Sequence, residues 1–465
     1  MNYRPGLVSP VGVVMNQLIL FFLLSLSTPS VAQNFEPFFL YSQYGDEMEV
    51  SFEAHYLTAF KTIEDMNKEL PEDRSYYANY TVEPTIKYLF GPLTHRSWGG
   101  IQKTLKLELD WDRAEVTDRG VILPYSYTGL WLVGVRFLDQ PNTPIPLPYN
   151  TTVILSERWK YCTDSHHQEQ SSFWYYWEPQ RSGCDHVAGL HYQNISVKLA
   201  NPTAETAQSF PEYQRMIRMR DGKPTLSMTF AFGYVEEQST PNPDLDSDAG
   251  AREFQTFVRE IRKLMPSTAK EKRIMRQSYP YFEGRDFIMG HRFLFTREGI
   301  HFDVKVVMNS GVDQMYLFAR SYAEEHDGYF GWMGHSRIGS GFDANRFSYL
   351  LKNQPETYSL TKDYQVIYWG GCNSYSYYTV PFFAQKAQIN DNDPNGTRSL
   401  DIIANGLPSY FSFNAANALI HFKTFTNLQQ PTSYQSLLSQ MEQISDVMNM
   451  QVLAVVIGDE DNNLQ

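Results

Sequence analysis

A histidine and a cysteine in this sequence stand where nucleophilic chemistry is commonly placed. His335 lies in Gly334-His335-Ser336-Arg337-Ile338-Gly339, and Cys372 in Gly370-Gly371-Cys372-Asn373-Ser374. A thiolate attacks carbonyl carbon, and an imidazole gains or loses a proton near neutral pH, so the pair together could split a peptide bond. Glycines ahead of each residue permit tight turns and let another backbone come close. The other cysteines, Cys162 and Cys184, bracket one aromatic-rich stretch and are natural disulfide partners, which leaves Cys372 over. An unpaired cysteine of this kind is an intermolecular link, a buried thiol or a reactive nucleophile.

Both residues follow apolar runs. Tyr329 to Met333 predicts one strand and Tyr364 to Trp369 another, apolar on both faces. Asn345 to Lys352 predicts a short helix between them. Further strands are predicted at His301 to Met308, Leu400 to Ile403 and Val452 to Ile457. Helices are predicted over Val312 to Glu325 and near 413–425 and 433–447. Strands alternating with helices imply a mostly parallel sheet covered on both faces. In such sheets, sites form beyond the carboxyl ends of the strands. Parallel neighbours about 4.8 Å apart would bring the two loops within side-chain reach.

In these residues the chain resembles the caspase-type (clan CD) cysteine peptidases, including their gingipain-like branch. Those families place the catalytic histidine after a hydrophobic block and a small residue, as in Phe330-Gly-Trp-Met333-Gly334-His335. They place the catalytic cysteine after the next hydrophobic block and two mostly small residues, as in Val366-Ile-Tyr-Trp369-Gly370-Gly371-Cys372. The end, Val455-Val-Ile-Gly-Asp-Glu460, is similar to the last strand of gingipain-like domains. The resemblance covers roughly 285–465 and implies a caspase-like three-layer α/β sandwich. It implies an endopeptidase in which Cys372 attacks, His335 protonates the leaving amine, and the N–H groups of Ser336 and Cys372 form the oxyanion hole. The family carries glycine where this chain has Ser336; the N–H survives that change. Relatives that cleave after Arg or Lys often carry an acid beside the cysteine, and Gly370-Gly371 offers none. Arg337, Asp343 and Asn373 are candidate substrate-pocket residues, and no cofactor is implied.

The rest of the chain sets the context. Arg4, the apolar run Leu18 to Leu26 and Ser30-Val31-Ala32 predict a signal peptide over 1–32, hence secretion or delivery to a periplasm, with no stable membrane span after its removal. Residues 33–237 predict a β-rich, sandwich-like domain: Lys103 to Trp111 and Leu226 to Tyr234 alternate cleanly, and Tyr127 to Phe137 and Thr151 to Leu155 are further strand candidates. Residues 238–284 predict a linker, 238–250, and a connecting helix around Phe254 to Met265. The linker and the basic run Lys270-Glu-Lys-Arg273 are candidate processing sites. The caspase-like domain then occupies 285–465. A net charge of -13 argues against nucleic-acid binding, which needs clustered Lys and Arg. The expected partner is a peptide or protein substrate.

Three other readings compete. A catalytically inactive caspase-like fold could serve as a binding or adhesion protein of the cell envelope, with the aromatic cluster Phe173-Trp-Tyr-Tyr-Trp177 as its contact surface. Ser336 with His421 as base would make a serine hydrolase, but Gly334-His335-Ser336-Arg337 lacks the final glycine of the nucleophile elbow, having Ile338 there. A metal could be held by His166 and His167 with Asp164 and Glu169, yet no spaced ligand set completes them. No metal site is therefore assigned.

Overall fold

The computed structural model describes residues 44–459 apart from 71–73, 155–158, 164–175, 201–208, 237–241, 279–285, 310–313, 322–326, 337–341, 356–357, 359 and 448–449. The predicted signal peptide, the histidine pair 166–167 and Arg337 lie outside the described residues.

The first sheet is built on β1 (Gly45–Leu57), whose Val50, Phe52, Ala54 and Tyr56 face inward while Glu49, Glu53 and His55 face out. This period of two is what one buried sheet face requires. β1 pairs antiparallel along its length with β4 (Val121–Gly134), which pairs on its other side with β2 (Gly99–Leu109). The short β3 (Glu115–Val116) joins β4, and β7 (Lys198–Leu199) joins β1. A small separate ribbon pairs β5 (Ile145–Pro148) with β6 (Tyr192–Ile195). The sheet packs against the helical run between Arg74 and His95, through Val82, Ile86, Leu89, Phe90 and Leu93. The expected sandwich is thus corrected to one sheet under a helical cover. The predicted strand at Thr151 is likewise corrected: Thr151–Ile154 is a helical turn. Its β-branched residues favour strand only where a pleated surface receives them.

Cys162 and Cys184 are disulfide-bonded, with Cα atoms 4.6 Å apart. Cys162 is fully buried with Tyr88, Ile154, Trp177 and Tyr192, a satellite core too small to hold a loop by packing alone. Trp177, from the aromatic cluster expected to bind ligands, fills this core and donates from Nε1 to His186 Nδ1 at 3.1 Å. Replacing both cysteines with serine is expected to lower unfolding stability by about 3 kcal/mol in the chain-entropy picture. Urea titration of the double variant beside the wild type checks this.

The second sheet has nine strands. Its path runs β10 (Lys270–Ser278), β11 (Asp286–Arg297), β12 (Ile300–Asn309), β9 (Lys223–Phe232), β13 (Tyr329–Met333), β14 (Gln365–Trp369), β15 (Leu400–Asn405), β16 (Ala454–Ile457), with β8 (Arg218–Arg220) also on β9. The five strands β12, β9, β13, β14 and β15 are mutually parallel; β10, β11 and β16 are antiparallel additions. Helices cover both faces. Phe257 of helix Ala249–Leu264 and Phe422 of helix Asn414–Thr426 pack on Phe230. On the other face Trp369 meets Phe318, Phe342 and Phe382. The expected α/β architecture with a mostly parallel sheet is present.

The expected domain boundaries change. β9, read with the β-rich portion 33–237, is the middle of the large sheet. Its alternating polar residues Thr225, Ser227 and Thr229 suggested a wet face, yet all three are buried. Thr229 Oγ1 donates to the buried Asp327 carboxylate at 2.5 Å, so a protein acceptor replaces water. Asp248, in the predicted linker, caps helix Ala249–Leu264 by accepting from Ala251 N at 3.0 Å. Lys270 to Arg273, a candidate processing site, is paired strand in β10 rather than linker. Among the described residues, no helix is long and apolar enough to cross a membrane.

Candidate active site

β13 and β14 are fully buried parallel neighbours, with Tyr329 opposite Val366 and Trp332 opposite Trp369. The last paired residues, Trp332 and Trp369, stand three positions before His335 and Cys372, so both loops leave the same end of the sheet. The strands stay joined at their ends, where Gly370 N donates to Trp332 O at 2.7 Å. The two loops then touch. A Cβ placed on Gly371 would lie 3.0 Å from Ser336 N and 3.2 Å from Gly334 O, so a side chain there would press the two loops apart by a few tenths of an ångström.

His335 is half-buried. Its Nε2 lies 2.9 Å from Val235 O. A carbonyl only accepts, so Nε2 carries the proton and the lone pair of the neutral ring is on Nδ1. Trp332 Nε1 donates to the His335 carbonyl at 3.0 Å, and Phe411 meets the imidazole edge-on with centroids 5.0 Å apart. Val235 lies just past β9, the strand beside β13. Sequence patterns had not marked Val235, because a backbone carbonyl has no residue signature.

Cys372 is the free cysteine, partly exposed as a residue, with its sulfur donating to Ser409 O at 3.4 Å. Burial pushes the thiol pKa up, and backbone hydrogen bonding pulls it back in part. The resting sulfur is therefore a thiol. Asn373 follows in the left-handed region, with φ 46°, and begins helix Ser374–Ile389. Its N–H donates to Leu407 O at 3.1 Å. Asn405 Nδ2 donates to Gly371 O at 3.3 Å, and Ser374 Oγ donates to Trp369 O at 2.6 Å. One loop, between β15 and helix Asn414–Thr426, thus touches the cysteine through Ser409 and the histidine through Phe411.

The remaining predicted residues fall as follows. Ser336 is buried and bridges to Phe342. Asp343 accepts from Arg346 N at 3.1 Å, capping helix Ala344–Asn353. Asn373 is buried, its amide directed to Thr94 Oγ1 at 3.4 Å. His421, the base of the serine-hydrolase reading, is fully buried, stacked on Tyr368 and 3.0 Å from Tyr329 OH. Its ring nitrogens are engaged in the core, Nδ1 with Tyr329 OH and Nε2 with Met441 Sδ at 3.3 Å, rather than with Ser336, and that reading is dropped. Burial also pushes the His421 pKa down to about 3, leaving a neutral core residue. The ligand atoms of Cys162, Cys184 and His186 lie within 4.8 Å of one another, but both sulfurs are spent in the disulfide. No family model, no curated protein and no solved structure matches this chain.

Proposed function

We propose that this chain is an exported cysteine endopeptidase of the caspase-like type, with Cys372 as nucleophile and His335 as acid and base. The observation that carries the reading is the parallel register of β13 and β14, from which the loops carrying His335 and Cys372 leave the same end of the sheet. Substrate binding displaces the Cys372 thiol from Ser409 O, and its proton passes to His335 Nδ1 as sulfur bonds to the scissile carbonyl carbon. The oxyanion is held by the N–H groups of Cys372 and Ser336. The imidazolium returns its proton to the leaving amine, and water then hydrolyses the thioester. The Val235 carbonyl keeps the ring turned for both transfers, since Nε2–H has no other task. Because the resting sulfur is a thiol, the base is needed within the reaction rather than before it. The disulfide and the apolar leader support export.

The second reading, an inactive member of the same fold acting in binding or adhesion, is favoured by the raised thiol pKa and the sulfur's bond to Ser409 O. Peptidyl acyloxymethyl ketones of varied sequence separate the two. A peptidase is expected to be labelled at Cys372, located by peptide mass, with at least one sequence reacting far faster than iodoacetamide. Labelling no faster than that of a simple alkylator, across the whole set, would refute the peptidase and leave the inactive fold.

A further inference from the structure

The first turn of the helix that leaves Cys372 is packed against the N-terminal sheet and its helical cover. Asn373 Nδ2 reaches Thr94 Oγ1 of helix Phe90–His95 at 3.4 Å. Tyr375 OH donates to Glu47 Oε1 of β1 at 2.5 Å, with both residues buried. A Cβ on Gly100 of β2 would lie 3.1 Å from Ser376 Oγ and 2.9 Å from Gly406 O. Tyr377 stacks parallel on Phe90 with centroids 6.3 Å apart. The same region also backs the loop beside the site, for a Cβ on Gly406 would meet Leu132 Cδ2 of β4.

We infer that the N-terminal sheet is a positioning element of the Cys372 turn, a permanent wall behind the reacting thiol rather than a removable inhibitory segment. The five residues from Asn373 to Tyr377 supply four contacts to it. Asn373 is held in a left-handed conformation, which asparagine tolerates better than most side chains when local hydrogen bonds support it. The Thr94 hydroxyl and the Leu407 carbonyl supply that support from two sides. Leu132 of β4 lies in the core of the large sheet, and Tyr377 packs against that core and the core of the N-terminal sheet, so separating the two parts would expose apolar surface to water. An inhibitory segment leaves without opening a shared core, and this one cannot.

The inference rests on Cys372 being the reacting thiol, and its test reads that thiol directly. The rate of Cys372 alkylation by iodoacetamide is measured against pH on the full chain, with the disulfide intact. Melting temperature and peptide hydrolysis are followed in parallel. Gly100→Val, which presses on Ser376 and Gly406, is expected to change the rate about tenfold and move its pH midpoint. Thr94→Val is expected to do the same to a smaller extent, and Thr94→Ser, which keeps the hydroxyl, to restore wild-type behaviour. If Gly100→Val does not fold, the Thr94 pair and Tyr375→Phe carry the test. Folded variants with wild-type alkylation rates and midpoints would overturn the inference. So would variants that hydrolyse peptide faster than wild type, the mark of a released inhibitor. A shifted alkylation profile in a chain that hydrolyses no peptide would refute the peptidase and keep the positioning role.

Discussion

Alanine at position 372 is expected to abolish the proposed peptide hydrolysis, with kcat/KM falling by more than about 10³-fold. A thiol can form a covalent acyl intermediate, and the methyl that replaces it cannot attack. The fold survives the change, because the side chain makes a single long hydrogen bond to Ser409 O. Alanine at position 335 is expected to lower kcat/KM by a similar factor, since the raised thiol pKa leaves little thiolate without a base. The double variant should be scarcely worse than either single one, because the two side chains act as one unit. Initial rates on a fluorogenic peptide library, with melting temperatures as a control, check all three. Hydrolysis persisting in Cys372→Ala would move the nucleophile elsewhere and end the dyad.

The second large effect is structural. Lys386, on the helix after the Cys372 turn, is fully buried, and its ammonium meets three acceptors: Thr361 O at 2.8 Å, Asp363 O at 2.7 Å and Gln365 Oε1 at 2.9 Å. Gln365 in turn donates to Asp327 O at 2.9 Å. This cluster pins the start of β14, the strand whose far end carries Cys372. Lys386→Met keeps the side chain as far as Cε, removes the nitrogen and strands all three acceptors, so a loss of about 3 kcal/mol or more is expected. Burial pushes the Lys386 pKa down to about 7. Between pH 7 and the ordinary lysine range the unfolded chain therefore holds a proton that the folded chain has released. Stability contributed by this group rises with pH across that window and is flat below it. Urea titrations from pH 6 to pH 9 should show that rise in wild type and lose it in Lys386→Met. A variant as stable as wild type would mean that the acceptors find water or new donors.

Much of the large sheet was legible because its strands are short, wholly apolar runs bounded by glycine or polar turns, which pack on both faces only as interior strands. Tyr329–Met333 is of this kind, as is Gln365–Trp369 after its first residue, and the helices at 414–426 and 434–447 carry stripes of helical spacing. β9 misled for a definite reason: Thr225, Ser227 and Thr229 alternate with apolar residues as on a wet face, and only a buried partner such as Asp327 makes that face dry. Lys386 was invisible for the same reason, since its three acceptors belong to a segment some two dozen residues away.

From its sequence alone, the chain declares the residue types and the local elements: a cysteine and a histidine each at the end of a buried strand, and two cysteines placed to join. Local sterics and hydrophobic periodicity suffice for that. Only the tertiary structure decides that β9 lies between β12 and β13, that a carbonyl after β9 meets the imidazole, and that the N-terminal sheet packs on the helical turn after Cys372. Those facts depend on contacts between residues 100 to 328 positions apart in the chain, to which no local pattern is sensitive.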